Sequence, residues 1–365
     1  MINYSKYLEE LSQKTQPLLD KISRHCEILD KQINVMHVCG THEATVSRAG
    51  IRSLLPKNLR IISGPGCPVC ICPAEHITVA KELAKRGNII TTFGDMFKVP
   101  DTTLKSLSHL KAQGYDIRTV YSAIDAVKIA RENPDKTVVW LGVGFETTAP
   151  MTAYEILKKP PENFYVLTDF RLVPPALHLL LSDPTHELSG IILPGHVTTV
   201  MGLEEYQEFP EKYGIPMTVA GFESVEFLYA LEVLLDMMVN NDLSVKNAYG
   251  KVVRYEGNPK AKEVMEKVFK VVDAKWRGIG TVKQSGFELR EEFSNYNARE
   301  LIDFDISLDY DLPKGCKCGG VILGKVEPEE CPHFLRKCTP ETAIGPCMVS
   351  DEGTCRIRAK FRTVN

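Results

Sequence analysis

Short apolar runs alternate with amphipathic segments over residues 33–240. The runs are rich in β-branched residues, which is typical of buried strands, whereas the segments between them repeat their apolar residues at helical spacing. The predicted strands are INVMHVC, LRIISGPG, NIITTFG, DIRTVYS, KTVVWLGVGFE, FYVLTDF, SGIILPGH and PMTVAGFE. The predicted helices include HITVAKELAKRG, SAIDAVKIAREN and ESVEFLYALEVLLDMMVNN. This repeated βα pattern predicts an α/β fold with mainly parallel sheets and helices on both faces.

The βα units either close into one barrel or split into two open sheets of about four strands each. We expect the split, because the connection between Thr152 and Phe164 carries the sequence KKPP and breaks the even spacing of barrel units. The chain is thus predicted to form two open, mainly parallel βα domains, at 25–125 and 126–240.

The pattern changes after Asn241, where the loops become rich in Gly, Pro and Cys. We therefore expect a separate cysteine-rich module at 241–365. The N-terminal segment 1–24 has an amphipathic helical pattern, and its packing on this module is the accompanying expectation.

The 365-residue chain has an ordinary composition, with 44% hydrophobic residues and a formal net charge of -3. No Lys/Arg-rich run is present to bind phosphate groups, so we expect no nucleic-acid partner. No run approaches the roughly 18 apolar residues that a membrane-spanning helix needs, and the N-terminal segment lacks the pattern of an export signal. We therefore expect a cytoplasmic protein with no membrane partner.

The eleven cysteines carry the most chemical information. In a reducing cytosol, metal binding or thiol redox chemistry is a better interpretation of them than structural disulfides. Apart from Cys26 they fall into two groups, which implies two sites. The early group is Cys39, Cys67, Cys70 and Cys72, and the late group is Cys316, Cys318, Cys331, Cys338, Cys347 and Cys355.

The unusual sequence strings follow the predicted strands. In open parallel sheets, the loops at the carboxyl ends of the strands form binding sites because the sheet holds them fixed. We therefore expect these strings to face one cleft. They are CGTHE (39–43), GPGCPVC (64–70), TFGDM (92–96), GFETT (144–148) and PGHV (194–197).

Cys39 lies between a strand and a helix N-terminus, where the helix dipole lowers the pKa of a thiol. The alternative is a buried small hydrophobe, but the Gly and the nearby His42 favour a functional thiol. Cys67 and Cys70 form a CxxC, whose spacing allows a disulfide or one shared metal. Because Cys72 alone does not supply the second pair of a zinc knuckle, redox chemistry or transient metal holding is favoured.

Asp95, Glu146 and His196 are weaker candidates. An acidic residue at a strand–helix junction is often only a helix cap, and a lone His is often structural. Their convergence, with Thr147 and Thr148, on the edge that carries the early cysteines favours a functional role.

The six late cysteines have the strongest inorganic signature. Four thiolates hold either zinc or an iron-sulfur cluster. Zinc ribbons usually carry two CxxC knuckles, and this tail has none. The wide spacing therefore favours an iron-sulfur module.

Together these strings resemble the HypD family of NiFe-hydrogenase maturation proteins over essentially the whole chain. The strings EGN (256–258), WRGIG (276–280) and GPCMVS (345–350) extend the match. The resemblance implies a protein that, with a HypC-type chaperone, carries iron while cyanide and carbon monoxide ligands are attached. It also implies a HypE-type cyanide donor and, indirectly, the hydrogenase large subunit as partners.

The resemblance further implies Cys39 as the iron-holding cysteine, Cys67 and Cys70 as a redox-active pair, and the tail as the holder of a 4Fe-4S cluster. The implied cluster ligands are Cys331, Cys338, Cys355 and either Cys316 or Cys318, with Cys316 favoured. Such a protein is an assembly scaffold with redox activity rather than an ordinary turnover enzyme. The alternatives are a cluster-dependent thiol-disulfide oxidoreductase and a small-molecule enzyme with a structural zinc tail.

Two positions depart from the family pattern. Members often carry a second His directly after the first, where this chain has Glu43 after His42. Cys72 falls where members usually have no cysteine, so it is either a spare thiol or a competitor of Cys67 and Cys70.

Overall fold

The computed structural model describes residues 4–303, 306 and 310–361. The sequence-predicted segments 1–24 and 241–365 extend beyond these residues. Their parts at 1–3, 304–305, 307–309 and 362–365 lie outside the described residues.

Strands and helices alternate along the described chain, as the sequence predicts. The strands are β1 (Ile33–His37), β2 (Leu59–Ser63), β3 (Ile89–Thr92), β4 (Ile117–Thr119), β5 (Val138–Gly144), β6 (Phe164–Arg171), β7 (Gly190–Pro194), β8 (Met217–Ala220), β9 (Val245–Asn247), β10 (Phe269–Trp276) and β11 (Gly280–Leu289). The predicted strands are confirmed as β1 to β8.

The helices follow the predicted amphipathic segments and add several short turns. They are α1 (Tyr4–Leu29), α2 (Gly40–Arg48), α3 (Ile51–Leu54), α4 (Pro68–Ile71), α5 (Ala74–Lys85), α6 (Gly94–Lys98), α7 (Leu107–Ala112), α8 (Ala123–Glu132), α9 (Ala149–Leu157), α10 (Val173–Leu181), α11 (Gly195–Met201), α12 (Glu208–Tyr213), α13 (Ser224–Val239), α14 (Pro259–Val268), α15 (Cys318–Ile322) and α16 (Thr354–Lys360). The 3-10 turns are Glu204–Tyr206, Glu291–Tyr296, Ala298–Leu301, Pro328–Glu330 and Pro346–Met348. The predicted helices are confirmed as α5, α8 and α13.

The chain forms two compact units that are each built from separate stretches of sequence. Unit 1 takes residues up to Gly66 and again Leu180–Asn258, whereas unit 2 takes Cys67–Leu179 and Pro259–Lys360. From the sequence, three consecutive domains were expected, at 25–125, 126–240 and 241–365. The two units have other bounds because strands distant in sequence pair: β7 pairs with β1, and β3 pairs with β5.

Unit 1 contains a parallel sheet in the order β2-β1-β7-β8-β9. Every residue of β1 and β7 is buried, as expected for strands covered on both faces. Ile22 and Cys26 of α1 join Phe227 and Leu231 of α13 in one apolar cluster. Helix α1 thus packs in unit 1, whereas the sequence analysis expected it on the cysteine-rich module.

Unit 2 contains a mixed sheet in the order β10-β11-β6-β5-β3-β4. Strands β6, β5, β3 and β4 are parallel, and the hairpin β10–β11 joins β6 in antiparallel pairing. The sequence analysis missed this hairpin, because a register shift between Val272 and Ala274 interrupts the alternation of apolar residues. The two open, mainly parallel sheets of an α/β fold are confirmed.

The connection between Thr152 and Phe164, which interrupts the even spacing of barrel units in the sequence, lies within one sheet. Strands β5 and β6, which flank this connection, are neighbours in one sheet, with Val138 paired to Phe164. Pro160 and Pro161 follow the end of α9, where proline stops a helix without separating domains.

The cysteine-rich C-terminal region is confirmed, and its six cysteines belong to unit 2. After β11 its described residues form only short helices and turns, so polar contacts to fixed groups hold them. Arg277, from the WRGIG string, is fully buried and donates to the carbonyl oxygens of Asp311 and Pro100 at 3.0 and 2.9 Å. The Asp311 carboxylate accepts from the Ala74 amide at 2.8 Å, and the Arg277 amide donates to the Ile71 carbonyl at 2.8 Å.

The helices within the described residues include none with the length and apolar character needed to cross a membrane.

Candidate metal and thiol sites

Cys39 lies where β1 gives way to α2. Its backbone is extended, at φ -151° and ψ 126°, and it precedes the first residue of the helix. Its side chain is 8% exposed. The loop that follows β2 lies close to Cys39, since the Gly40 amide donates to the Gly66 carbonyl oxygen at 3.2 Å. A Cβ atom on Gly66 would lie 2.3 Å from the Cys39 Cα, so only glycine fits there.

His42 is fully buried in the first turn of α2. Its Nε2 lies 3.0 Å from the Gly221 carbonyl oxygen, which accepts a hydrogen bond from this nitrogen. Burial, and then the nearby His37, lower the pKa of His42 to about 3. The ring is therefore neutral with its proton on Nε2, and Nδ1 keeps its lone pair. Among the described residues Nδ1 has no hydrogen-bond partner.

His196 and His42 contact the same aromatic ring. Phe222 stacks on His42 with ring centroids 5.1 Å apart and on His196 with centroids 3.8 Å apart. His196 is exposed and is the second residue of α11, which directly follows β7. The structure thus brings together two of the predicted site residues of unit 1.

Glu43 occupies a buried charge network. Its carboxylate lies 2.6 Å from Arg52 Nη2 and 3.0 Å from His37 Nε2, and it accepts from Ser47 Oγ at 2.9 Å. Burial alone would raise the pKa of Glu43, but Arg52 and His37 outweigh it and hold that pKa well below its usual range. The carboxylate is therefore charged and committed to these partners.

Asp95 and Glu146 lie in unit 2 and have structural partners there. Asp95 Oδ2 accepts from Ser350 Oγ and from the Asp351 amide, both at 3.0 Å, and so anchors the tail. Glu146 is fully buried, and its Oε1 accepts from the Val173 amide at 2.7 Å. Thr147 and Thr148 precede α9. Both carboxylates thus have structural partners, and neither caps the helix that follows its own strand.

Cys67 and Cys70 form a disulfide. Cys67 precedes α4, and its Sγ accepts from the Cys70 amide at 3.2 Å. Helix α4 packs against α15 and against the 3-10 turn Pro346–Met348, all within unit 2. These two elements carry Cys318 and Cys347, so the disulfide loop contacts the elements of two tail cysteines.

The six tail cysteines line one small cavity of about 20 Å³. Its other walls include apolar side chains of Val321, Phe334, Ile344 and Met348, together with His333. The cysteines around it are Cys316, Cys318, Cys331, Cys338, Cys347 and Cys355. Within the described residues that line it, no carboxylate is present.

Two of these thiols form a close pair, and neighbouring thiols influence one another around the cavity. The Sγ atoms of Cys318 and Cys347 are 2.8 Å apart. Burial, and then Cys318, raise the pKa of Cys316, with Cys331 and Cys355 acting in the same direction. Burial also raises the pKa of Cys338, with Cys355 and Cys331 acting in the same direction.

The donor chemistry of this cavity fits an iron-sulfur cluster. Thiolates are the usual ligands of such clusters, and an apolar wall shields them from water. Buried thiols with raised pKa values need a cation before they can ionise together. The contact between Cys318 and Cys347 leaves Cys316, Cys331, Cys338 and Cys355 as the thiols that would hold a cluster.

Comparison with known sequences decides the family. The sequence model of HypD, described as the hydrogenase formation hypA family, matches residues 13–362. The chain belongs to the HypD family of hydrogenase maturation factors.

Relatives of the HypD family cover nearly the full chain. Hydrogenase maturation factor HypD2 of Bradyrhizobium diazoefficiens is 40% identical over 362 residues, which are 96% of this chain and 95% of that protein. Hydrogenase maturation factor HypD of Cupriavidus necator is 37% identical over 364 residues, covering 96% and 95%. HypD of Escherichia coli is 35% identical over 359 residues, covering 97% and 96%.

Several residues of this HypD-family chain escaped the sequence analysis. Phe222, which joins the two histidines, had no signal of its own. Arg277 lay in a recognised string without a role. Asp169 and Arg171 did carry a signal, because a buried strand that holds an acid and a base two residues apart presents both on one face.

Replacing Glu43 by Gln should lower the free energy of unfolding of unit 1 by about 3 kcal/mol near neutral pH, because Arg52 loses its buried counter-ion. The pKa of Glu43 is lower in the folded protein than its value of about 4.3 in the unfolded chain, so ionised Glu43 stabilises the fold above that pH. This stabilisation is lost as the pH falls from there towards the folded-state pKa. The difference between E43Q and the wild type should therefore shrink in acid. Urea unfolding at several pH values measures it.

The matched control is Asp242→Asn, which breaks an exposed ion pair with Lys246 in the same unit. It should cost less than about 1 kcal/mol. A difference for E43Q that is equally large in acid would contradict the buried-pair assignment.

Proposed function

We propose that this chain is an assembly scaffold that holds iron while the Fe(CN)2CO group of a NiFe hydrogenase is built. The observation that carries the proposal is the division of the cysteines into three chemical environments. Cys39 stands beside buried histidines, Cys67 and Cys70 form a disulfide, and six further thiols surround one cavity. An assembly reaction needs an anchor for iron, a store of reducing equivalents and a source of electrons.

The iron is cargo, and Cys39 is its proposed anchor. A thiolate is a strong ligand for ferrous iron, and the near-complete burial of Cys39 keeps water away. His42 is three residues further along the chain, in the first turn of the helix α2 that Cys39 directly precedes. Its unpartnered Nδ1 supports a role as a second ligand, with His196 stacked on Phe222 at the same end of the sheet.

Four tail cysteines are the proposed holders of a 4Fe-4S cluster: Cys316, Cys331, Cys338 and Cys355. When bound, such a cluster supplies electrons one at a time. The protein side of this chemistry is the apolar wall, which excludes water, and the anchoring of the tail by Asp95 and Arg277.

The Cys67–Cys70 disulfide is the proposed two-electron store. Its reduction takes up two electrons and two protons and leaves two thiols. The packing of α4 against the elements that carry Cys318 and Cys347 supports electron delivery from the tail.

The proposed partners are a HypC-type chaperone, a HypE-type cyanide donor and, indirectly, the hydrogenase large subunit, with the cytoplasm as the place of action. Family membership supports these partners, because assembly of the group needs a donor of ligands and a recipient. A second candidate function is a cluster-dependent thiol-disulfide oxidoreductase. The disulfide and its packing on the tail favour it, and it makes no use of Cys39.

Cys39→Ala should abolish hydrogenase maturation and the binding of cargo iron, because the anchoring thiolate is lost. The tail cluster should remain, since Cys39 belongs to unit 1 and the tail to unit 2. Cys26→Ala, which removes another buried thiol of unit 1, is the matched control and should leave maturation intact. If C39A still supports hydrogenase activity in cells that lack the native protein, the scaffold proposal fails and the oxidoreductase remains.

Cys338→Ala and Cys316→Ala should each lose the brown cluster absorption and most of the acid-labile sulfide. Both should also lower the stability of unit 2, because metal binding free energy becomes folding free energy. Cys347→Ala and Cys318→Ala line the same cavity but should keep the cluster. Loss of the cluster in C318A together with its retention in C316A would reverse the choice of the fourth ligand.

A further inference from the structure

Cys72 is a third thiol beside the Cys67–Cys70 disulfide. It follows α4 directly and is fully buried. A thiolate two residues from a disulfide cysteine competes for pairing when it can reach a disulfide sulfur, because it attacks that sulfur. The disulfide joins Cys67 to Cys70, and Cys72 is a free thiol. The surroundings of the Cys72 thiol offer a reason for this pairing.

Cys72 faces the carboxylate of Asp169 in β6. The Cys72 Sγ, a ring nitrogen of His76 and an Asp169 oxygen all lie within 4.8 Å of one another, and all three residues are buried. Asp169 Oδ1 lies 2.9 Å from His76 Nδ1 and is paired with the guanidinium of Arg171. The Pro73 carbonyl oxygen, 3.8 Å from the Cys72 Sγ, is a second acceptor. The thiol is thus placed among hydrogen-bond acceptors.

These three residues are of the types that bind metals, but the contacts of His76 argue against a metal site. Arg299 Nη2 lies 2.7 Å from His76 Nε2, and a guanidinium only donates. Nε2 therefore accepts, and the proton of the neutral ring is on Nδ1, the nitrogen that faces Asp169. A protonated nitrogen has no lone pair for a metal. The arrangement is instead a chain of polar contacts that ends on the Asp169 carboxylate.

The charges around Cys72 oppose its ionisation. Burial, and then the negative charge of Asp169, raise the pKa of Cys72 well above its usual value. The guanidinium groups of Arg171 and Arg277 act in the opposite direction and offset only part of this. Burial would raise the pKa of Asp169 itself, but Arg171 and His76 outweigh it and lower that pKa. Asp169 is therefore the anion of this group, and Cys72 keeps its proton.

We propose that Asp169 keeps Cys72 out of thiol-disulfide exchange and thereby restricts the redox pair to Cys67 and Cys70. Asp169 is a positioning residue, since it acts through the Cys72 thiol. The restriction concerns the thiols of the polypeptide and does not depend on the proposed handling of iron.

Without Asp169, the guanidinium groups of Arg171 and Arg277 would favour the thiolate of Cys72. That thiolate attacks Cys70 Sγ: a Cys72–Cys70 bond forms, the Cys67–Cys70 bond breaks, and Cys67 leaves as the thiolate. The exchange consumes no oxidant or reductant.

Asp169→Asn in the full-length protein tests this by thiol mapping. Oxidised protein is quenched in acid, denatured and labelled with N-ethylmaleimide, and the remaining disulfides are then reduced and labelled with iodoacetamide. Trypsin releases residues 61–81, which carry all three cysteines, and fragmentation of this peptide identifies the sulfur with each label.

In the wild type the maleimide should be on Cys72 alone. In D169N part of the maleimide should move from Cys72 to Cys67, the thiol that leaves in the exchange, and Asp169→Glu should restore the wild-type pattern. Exclusive labelling of Cys72 in D169N would overturn the proposal.

The matched control is Asp101→Asn, which removes another buried carboxylate of unit 2, 2.6 Å from Lys81 Nζ. It should leave the labelling unchanged, and a shift to Cys67 as large as that in D169N would also overturn the proposal.

Cys70→Ser keeps the Asp169 contacts intact and decides the matter if D169N does not fold. In C70S, Cys67 and Cys72 should both stay reduced under an oxidant that closes the wild-type disulfide. Formation of a Cys67–Cys72 disulfide would refute the role of Asp169.

Discussion

The burial of six thiols around one apolar cavity is the constraint on which the rest of unit 2 depends. Thiolate charge cannot accumulate in such a place without a cation, because burial and mutual repulsion both favour the protonated form. The tail has little regular structure to hold these residues, so fixed polar groups do so. Arg277 ties the loop of α4 to the tail, and Asp95 accepts from the turn after Cys347.

Thiols in this chain differ in reactivity because their surroundings differ. Cys39 has a close glycine backbone and a helix start beside it, Cys67 and Cys70 have each other, and Cys72 has a carboxylate. Residues of one type thus have the different surroundings that the proposed anchor, the proposed redox pair and the proposed locked thiol require. The surrounding charges and backbone, rather than the cysteines themselves, decide the role of each.

Much of the fold follows from hydrophobic periodicity, and the rest depends on pairing between distant residues. The strands β1 to β8 lie in short runs rich in apolar and β-branched residues, so the sequence shows them directly. Which strands become neighbours is set by side-chain packing, so the pairing of β7 with β1 was not predictable. The candidate cysteines were identifiable by type and spacing. The partners of Asp95 and Glu146, and the group formed by Cys72 and Asp169, were hidden because their members are far apart in sequence.

The proposed function depends most directly on whether the tail cysteines hold an iron-sulfur cluster. Wild-type protein purified without oxygen should be analysed for iron, zinc and acid-labile sulfide, with Mössbauer spectroscopy of the iron. About four iron atoms and four sulfides per chain, in the spectral form of a 4Fe-4S cluster, are the expected result. Zinc without sulfide would contradict the account, because it would make the tail a structural zinc site with no electrons to supply.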